Sequence, residues 1–445
     1  MHLRRVILAA SGGALSLCFT VGFIACGSSD HPGSAQSSSG VVGVDGSTPD
    51  VETTPPIEAA APPPGGYDGG VGLGLADIAD TPCGMRGGAL SIVVPGTPAD
   101  DAGANAGDGG AEAGAAVPAG SLRNLHALGT RRVAETIDDP SFVLFDADGK
   151  NAKVVPTTLT QGTTAVLGQQ ALYAGFRDTG GLQINLQAYD PTGALAGAEV
   201  NLAGEDPEAL AATVDSTAAF FVWGNRTRGT LQARAFGAGA ADGMLPYDFA
   251  RGVDVSTVSI AVAPVKDGLF ASAFSVGGNG AFVTAFGRGS RTARSGDPSE
   301  LFTGAVPRKV VGMTRTSSGF AILVTVQDSS NPYAMLVLTD VGGRRTSAGL
   351  KLVGTVEGSA IVTNGSEIGV LAHRRENGKV AVEFRAFDLA GAPLAPWVCL
   401  DAPGDDTALG GGLVADGAGY SAIFRAADGS ASLARFDHFG TGALP

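Results

Sequence analysis

The C-terminal three-quarters of the chain repeats one strand pattern with a period of about 48 residues. An apolar strand recurs six times, as ALYAGFRD (171–178), AAFFVWGN (218–225), GLFASAFS (268–275), GFAILVTV (319–326), EIGVLAHR (367–374) and GYSAIFRA (419–426). A more alternating strand follows each copy after a turn rich in Gly, Asn, Asp or Ser, and an earlier copy begins at Ser141. Seven alternating strands therefore predict seven similar sheets in sequence.

Several alternating strands end in an Asp followed three residues later by Gly, at Asp146–Gly149, Asp190–Gly193, Asp388–Gly391 and Asp437–Gly440. An Asp side chain can accept hydrogen bonds from the turn backbone, while Gly adopts positive φ without steric cost. The pattern predicts a hairpin after each of these strands.

Four short strands per repeat, with little helical periodicity, match the blade of a β-propeller. Residues 121–445 resemble the broad class of secreted bacterial propellers with degenerate blades, which implies an all-β, seven-bladed ring. A ring of six or eight blades and an array of two-sheet sandwiches are the alternatives. The sequence has neither a Trp-Asp dipeptide nor a sialidase Asp-box, so the resemblance implies a fold and no activity.

The last repeat has no outer strand after its third strand, and an unpaired edge would recruit other chains. The apolar run from Ala89 to Val94 interrupts a polar region before the first repeat. We expect this run to dock on the ring and complete the last blade.

The N-terminus pairs Arg4 and Arg5 with an apolar stretch from Val6 to Ala25, which indicates an export signal. The sequence Phe23-Ile24-Ala25-Cys26 resembles the lipobox of bacterial lipoproteins, with Phe23 where that family usually has Leu. The resemblance implies a signal peptide over 1–25 and lipidation of Cys26. An uncleaved transmembrane anchor is the alternative. Because Asp is absent after Cys26, the resemblance favours the outer membrane of the cell envelope, with the body periplasmic or surface-exposed.

Residues 26–120 form an acidic linker in which Gly, Pro, Ala and Ser fill 56 of the positions 27–120. That stretch carries 12 acidic residues and one basic residue, whereas residues 121–445 carry 31 acidic and 26 basic residues. A segment so poor in apolar residues cannot offset the entropy of ordering. Most of the net charge of −14 therefore lies in a spacer, and nucleic acid is not an expected partner.

Four cysteines occur in the chain, and removal of the signal and lipidation would leave Cys83 and Cys399. In an oxidising compartment this pair could form a disulfide, and two buried free thiols are the alternative.

Candidate binding and metal residues are few. His373, Arg374 and Arg375 form the densest polar cluster and could belong to a ligand-binding loop or to a solvated hairpin. Asp146, Asp148 and Asn151 resemble part of a calcium loop but lack a third acidic ligand, so a plain turn is the alternative. Arg234, Arg385 and Arg435 recur near the ends of third strands, as a ring for anions or as solvent-facing charges. We identify no catalytic residues, no other metal site and no cofactor.

These features predict a monomeric, lipid-anchored, extracytoplasmic propeller that acts as a binding or scaffold module for protein or glycan. One alternative is a glycan-active hydrolase or lyase with catalytic residues from separate blades. Another is a structural component of a cell-envelope complex. Acidic or His side chains converging at the channel mouth would favour the enzyme.

Overall fold

The computed structural model describes the repeat region and three short segments before it. The described residues are 76–77, 84–85, 90–91, 122–137, 140–178, 182–204, 206–237, 246–266, 268–278, 281–291, 293–327, 332–347, 349–352, 355–376, 379–400, 411–417, 419–425 and 431–437. The signal peptide over 1–25, Cys26 and Cys83 lie outside them.

Three two-residue strands precede the repeats, and we call them the N-terminal belt. They are β1 (Ala76–Asp77), β2 (Gly84–Met85) and β3 (Leu90–Ser91).

Seven consecutive sheets of four strands each follow, and we number them as blades 1 to 7. Blade 1 contains β4 (Leu122–Leu128), β5 (Arg131–Thr136), β6 (Ser141–Asp146) and β7 (Lys153–Pro156). Blade 2 contains β8 (Thr160–Leu167), β9 (Gln170–Asp178), β10 (Leu182–Tyr189) and β11 (Val200–Ala203). Blade 3 contains β12 (Pro207–Val214), β13 (Ala218–Asn225), β14 (Thr230–Gly237) and β15 (Tyr247–Arg251).

A 3₁₀ turn over Val255–Thr257 leads into the second half of the ring. Blade 4 contains β16 (Ser259–Lys266), β17 (Leu269–Gly278), β18 (Ala281–Ser290) and β19 (Ser299–Gly304). Blade 5 contains β20 (Arg308–Arg315), β21 (Gly319–Val326), β22 (Tyr333–Asp340) and β23 (Leu350–Leu352).

Blade 6 contains β24 (Thr355–Thr363), β25 (Glu367–Glu376), β26 (Lys379–Asp388) and β27 (Val398–Cys399). Blade 7 contains β28 (Gly411–Asp416), β29 (Gly419–Arg425) and β30 (Ala431–Phe436), and it takes its fourth strand from the belt.

The blades form a closed ring. Within each blade the strands pair antiparallel in chain order, so the first strand lies at one sheet edge. Each first strand contacts the first strand of the next blade, and β28 of blade 7 contacts β4 of blade 1. The predicted all-β, seven-bladed propeller is therefore confirmed. We call the end of the ring where first strands begin the upper face, and the opposite end the lower face.

The core lies between blades rather than within one. Second strands such as β13 and β21 are buried along their whole length, because neighbouring blades cover both of their faces. One apolar cluster, for example, joins Ala271 and Phe286 of blade 4 to Phe320 and Ile322 of blade 5. This double coverage explains why the second strands read as continuous apolar runs in the sequence.

The predicted Asp-Gly hairpins are present on the lower face. The Asp190 carboxylate accepts hydrogen bonds from the backbone N–H groups of Thr192 and Ala194. Gly193 adopts φ +81°, where a side chain would be strained. The turns beginning at Asp146 and Asp388 likewise place Gly at positive φ, and a fourth such turn begins at Asp340. Gly440 lies outside the described residues.

An ion-pair cluster joins the last blade to the first. Arg132 Nη2 of blade 1 lies 2.9 Å from Asp416 Oδ2 of blade 7, and Arg435 Nε lies 3.3 Å from the same oxygen. Burial opposes ionisation of Asp416, but the hydrogen bond from Ser421 and the charge of Arg132 outweigh it and lower the Asp416 pKa. A charged junction therefore ties the ends of the repeat array together.

The belt follows the outer side of the last three blades. β1 pairs parallel with β23 of blade 5, and β2 pairs parallel with β27 of blade 6. β3 then pairs antiparallel with β30, with Leu90 opposite Leu433, and supplies the fourth strand of blade 7. This is the place where the sequence argument put the closing strand.

Removal of the belt should destabilise the ring. A protein that begins at residue 99 loses all three belt strands, exposes the edge of β30 and should melt about 10 °C or more below a protein that begins at residue 27. A protein that begins at residue 67 keeps the belt and serves as the control. Differential scanning calorimetry measures the three melting temperatures, and equal values for all three would contradict a closing role.

Cys399 is disulfide-bonded. We expect its partner to be Cys83, since Gly84 lies opposite Val398 in the register of β2 and β27. Replacement of Cys399 by Ser should reduce the free energy of unfolding by about 2–5 kcal/mol, and reduction should have the same effect on the native protein. Denaturant titrations with and without reductant measure this loss. A native protein insensitive to reductant would contradict a stabilising bond.

Candidate functional site: the central channel

A channel of about 1140 Å³ lies at the centre of the ring. Its wall is formed by the first strands of all seven blades, and no strand in the described part of the chain pairs with their channel-facing edges. The wall is therefore built from strand edges, which carry backbone N–H and C=O groups available to a ligand.

Small and aliphatic side chains dominate the lining. Representative residues from different blades are Thr163, Ala211, Ile260, Val311, Val362 and Leu413. Among the lining residues whose side chains the structure describes, which leave out 355–359 of β24, the ionisable groups are Arg123, His126, Lys309 and Arg315, and none is a carboxylate. The channel can thus accept backbone-like polar groups and apolar groups, and its ionisable lining is basic.

Hydroxyl groups from one blade bind backbone groups at the edge of the next. The backbone N–H of Val310 donates to Ser259 Oγ of the preceding blade at 2.8 Å. Thr363 N–H donates to Thr314 Oγ1 in the same way at 3.1 Å. These bonds satisfy edge groups that would otherwise face the channel, and they hold neighbouring blades in register.

A buried carboxylate, Glu135, organises the channel wall between blades 1 and 2. Its side chain is 1% exposed. Oε2 accepts hydrogen bonds from Arg123 Nε and Asn124 Nδ2, each at 2.9 Å. Oε1 accepts from the hydroxyl and the backbone N–H of Thr164 in the next blade. Both oxygens are occupied, so Glu135 acts as a brace between blades.

His126 lies beside this brace and lines the channel. Its Nε2 is enclosed and has no hydrogen-bond partner in the described part of the chain. Burial lowers the pKa of His126, because the charged imidazolium loses solvation, and the negative charge of Glu135 offsets only part of this effect. The imidazole is therefore neutral at pH 7.

Five first strands, β4, β8, β12, β20 and β24, contain a register shift near the upper face. In β4, β8 and β12, the residues Asn124, Gln161 and Ala209 adopt φ between +46° and +52° at or beside the shift. This conformation is uncommon for residues other than Gly, and bulges are frequent beside binding sites. These shifts interrupt the regular order of backbone edge groups around the upper mouth of the channel.

The cluster at residues 373–375 lies on a strand rather than in a loop. β25 extends to Glu376, so His373 and Arg374 are buried and Arg375 is exposed. Arg374 Nε lies 2.9 Å from Glu383 Oε1 on the next strand, which neutralises the buried guanidinium. Only Arg375 of the three is available to a ligand.

The calcium candidates form an ordinary turn. Asn151 Nδ2 donates to the Asp146 carboxylate at 2.6 Å, and Lys150 Nζ lies 2.9 Å from Asp148 Oδ2. No group of three or more His, Cys, Asp or Glu side chains in the described ranges could hold a metal ion.

The recurrent arginines do not form a ring for anions. Arg234 donates to the carbonyl oxygens of Asn201 and Leu202, and Arg385 donates to that of Ala395. Arg435 belongs to the junction with Asp416 described above.

The Glu135 brace could not be recognised in the sequence. Arg123, His126 and Glu135 belong to a strand pair with a bulge, and the bulge changes which side chains share a face. The hydrogen bonds that Glu135 accepts from Thr164 connect two different blades. A polar pair at the start of the first repeat is the only signal available beforehand.

Comparison with known proteins identifies the fold alone. No family model and no curated protein matches the chain. Among solved structures, a PL25 ulvan lyase matches with 9% identity and a TM-score of 0.50, over 72% of this chain and 95% of that one. The β-propeller domain of the Trilobed protease from Pyrococcus furiosus matches with 11% identity and a TM-score of 0.43, over 72% and 95%.

A prolyl endopeptidase matches with 15% identity and a TM-score of 0.46, over 72% of this chain. The match covers 48% of the endopeptidase, so this chain corresponds to about half of that protein. At these identities the shared property is the propeller. Among the described residues, no helix is long and apolar enough to span a bilayer.

The lowered pKa of His126 predicts acid sensitivity. An unfolded His binds a proton below about pH 6.5, whereas the folded His126 does so only at lower pH, so stability falls as pH drops through this window. The loss should reach at most about 2 kcal/mol at pH 5. Carboxylates whose pKa is lowered, such as that of Asp416, reduce the stability mainly below about pH 4.

Replacement of His126 by Gln removes this proton linkage. Denaturant titrations at pH 7 and pH 5 should show a smaller difference for H126Q than for the native protein. An unchanged difference would show that another group controls stability in this range.

Proposed function

We propose that this propeller is a binding module that receives an extended segment of a partner protein in its channel. The observation that carries the proposal is the wall itself: seven strand edges surround about 1140 Å³, no described strand pairs with them, and only some of their backbone groups bond to side chains of a neighbouring blade. Extended peptides bind such edges through main-chain hydrogen bonds, and small side chains leave room for them. The volume is at the upper end of ordinary ligand sites.

The chemistry of the lining supports recognition over catalysis. The negative charge of Glu135 acts on His126. Both oxygens of Glu135, however, already accept hydrogen bonds from Arg123, Asn124 and Thr164. A general base needs a free acceptor within reach of its substrate. The described groups therefore offer hydrogen-bond donors and apolar contacts to a bound chain.

A protein partner fits the lining better than a glycan. Sugar rings commonly stack on aromatic side chains, and Phe176 is the aromatic residue among the described lining groups. Trp223 and Trp397 are buried in the core, at 0% and 3% exposure. Aliphatic walls with a basic upper mouth suit a peptide that carries apolar and acidic residues.

We also propose that acylation of Cys26 tethers the propeller to the membrane of the cell envelope through the acidic linker. Two or more acyl chains on one residue give stable attachment. A spacer of this length is long enough to hold the channel away from the lipid surface.

A bulky residue in the channel should abolish partner binding. Ala127 is exposed and lines the channel, so A127W should fill space without disturbing the core. Ala194 is exposed on a lower-face hairpin, and A194W provides the same chemical change away from the channel. A photoreactive amino acid at the exposed lining position Gln161 should crosslink one protein in intact envelopes, and A127W should reduce this product about tenfold.

The control variant A194W should leave the product unchanged. A crosslinked carbohydrate in place of protein, or equal crosslinking in A127W and A194W, would contradict the proposal. Stoichiometric co-purification that survives A127W would instead indicate a structural component held by its outer surface.

A further inference from the structure

Blades 4 and 5 carry a concentration of positive charge, of which only Lys309 and Arg315 line the channel. Residues 259–352 contain ten Lys and Arg but five Asp and Glu, whereas residues 121–445 as a whole are net acidic. The cations therefore accumulate on one sector of an otherwise acidic body.

Part of this charge lies on two aromatic rings at the junction of the two blades. The guanidinium carbon of Arg345 lies 4.6 Å from the ring centroid of Phe302, and that of Arg308 lies 5.4 Å from the same centroid. Lys351 Nζ lies 4.8 Å from the ring centroid of Tyr333. We call these five residues the basic groove.

The basic groove takes its residues from both blades. Phe302 is on β19, the outermost strand of blade 4, and Lys351 is on β23, the fourth strand of blade 5. Arg308, at the start of β20, is in register through Val326 with Tyr333, so Arg308 and Tyr333 project from the same face of blade 5. Arg345 is in the turn between β22 and β23, so the three cations come from the first strand, a turn and the fourth strand of one blade.

No carboxylate among the described residues forms an ion pair with Arg308, Arg345 or Lys351. Arg308 Nη1 is buried and has no hydrogen-bond partner there. Burial lowers the pKa of Arg308, and the positive charge of Arg345 adds to this effect. Arg308 and Arg345 lie at the same ring and within the screening length of about 10 Å, so their positive charges repel each other. An anion bound beside them would offset this repulsion.

Stacking on aromatic rings leaves the edges of the guanidinium groups free. A planar guanidinium donates paired hydrogen bonds to sulfate, phosphate or carboxylate oxygens, and the ring face holds it in place. The basic groove therefore has the donors and the charge of an oxyanion site, and its three cations provide contacts for more than one anionic group on a chain.

We propose that the basic groove binds an anionic polysaccharide through its sulfate or carboxylate groups. A polysaccharide carries separate charges along its chain, and the basic groove presents three separate cations. A duplex nucleic acid, with one charge per about 1.7 Å of axis, would bring dense negative charge against the acidic remainder of the body. This site is independent of the protein partner proposed for the channel.

Two variants test the groove on the full mature-length protein. Arg345 is exposed, so R345Q should fold normally and should weaken binding to dextran sulfate about threefold. The double variant R308Q/R345Q should weaken it about tenfold or more. The slope of log affinity against log salt should fall by about one for each charge removed.

The matched control is R226Q/R251Q in blade 3. It removes the same charge from two arginines that are more than half exposed and already paired with Glu208 and Asp248. Binding of this control should stay within about twofold of the native protein. Melting temperatures of all variants identify any loss of fold, and R345Q keeps the test valid if the double variant unfolds.

The choice of polymer identifies the anionic group. Arginine-dependent binding of dextran sulfate or of polygalacturonate supports the proposal, and the tighter of the two identifies sulfate or carboxylate as the preferred group. Neutral dextran should not bind. Equal affinity of R308Q/R345Q and the control, binding of neutral dextran, or tighter binding of duplex DNA would overturn it.

Discussion

Face-to-face packing of each blade on two neighbours is the constraint on which the whole structure depends. A four-stranded sheet of this kind has no polar face to present to water, as the fully buried strands β13 and β21 show. Every blade must therefore have a neighbour on both sides, and a linear array would leave two apolar faces exposed. Closure of the array into a ring removes both faces at once.

Closure also explains where the polar residues lie. Arg132, Asp416 and Arg435 join the first and last blades, and Glu135 joins blade 1 to blade 2 through Thr164. Hydroxyl groups of Ser259 and Thr314 bind the edges of the following blades. Each of these groups satisfies a partner across a blade boundary, so the polar interactions fix the register of blades that apolar packing alone would leave free to slide.

The architecture could be predicted because its signals are local. Period, alternation and the Asp-Gly turns are properties of short windows, and each turn such as Asp190–Gly193 carries its own hydrogen bonds. The burial of Arg374 could not be predicted, because its partner Glu383 is on the next strand. The charged sequence is typical of a loop, but this ion pair lets it lie within a buried strand. The basic groove was missed for a related reason: Phe302, Arg308 and Arg345 meet only after two blades pack.

Amide hydrogen exchange of the third strand of blade 7 tests the closed ring most directly. In the full-length protein, the amides of Ala431–Phe436 should be protected to the same degree as those of the equivalent strand Ser141–Asp146 in blade 1, because β3 covers the edge of β30. In a protein that begins at residue 99, protection should fall in Ala431–Phe436 far more than in Ser141–Asp146. Rapid exchange of Ala431–Phe436 in the full-length protein would contradict closure by the N-terminal belt.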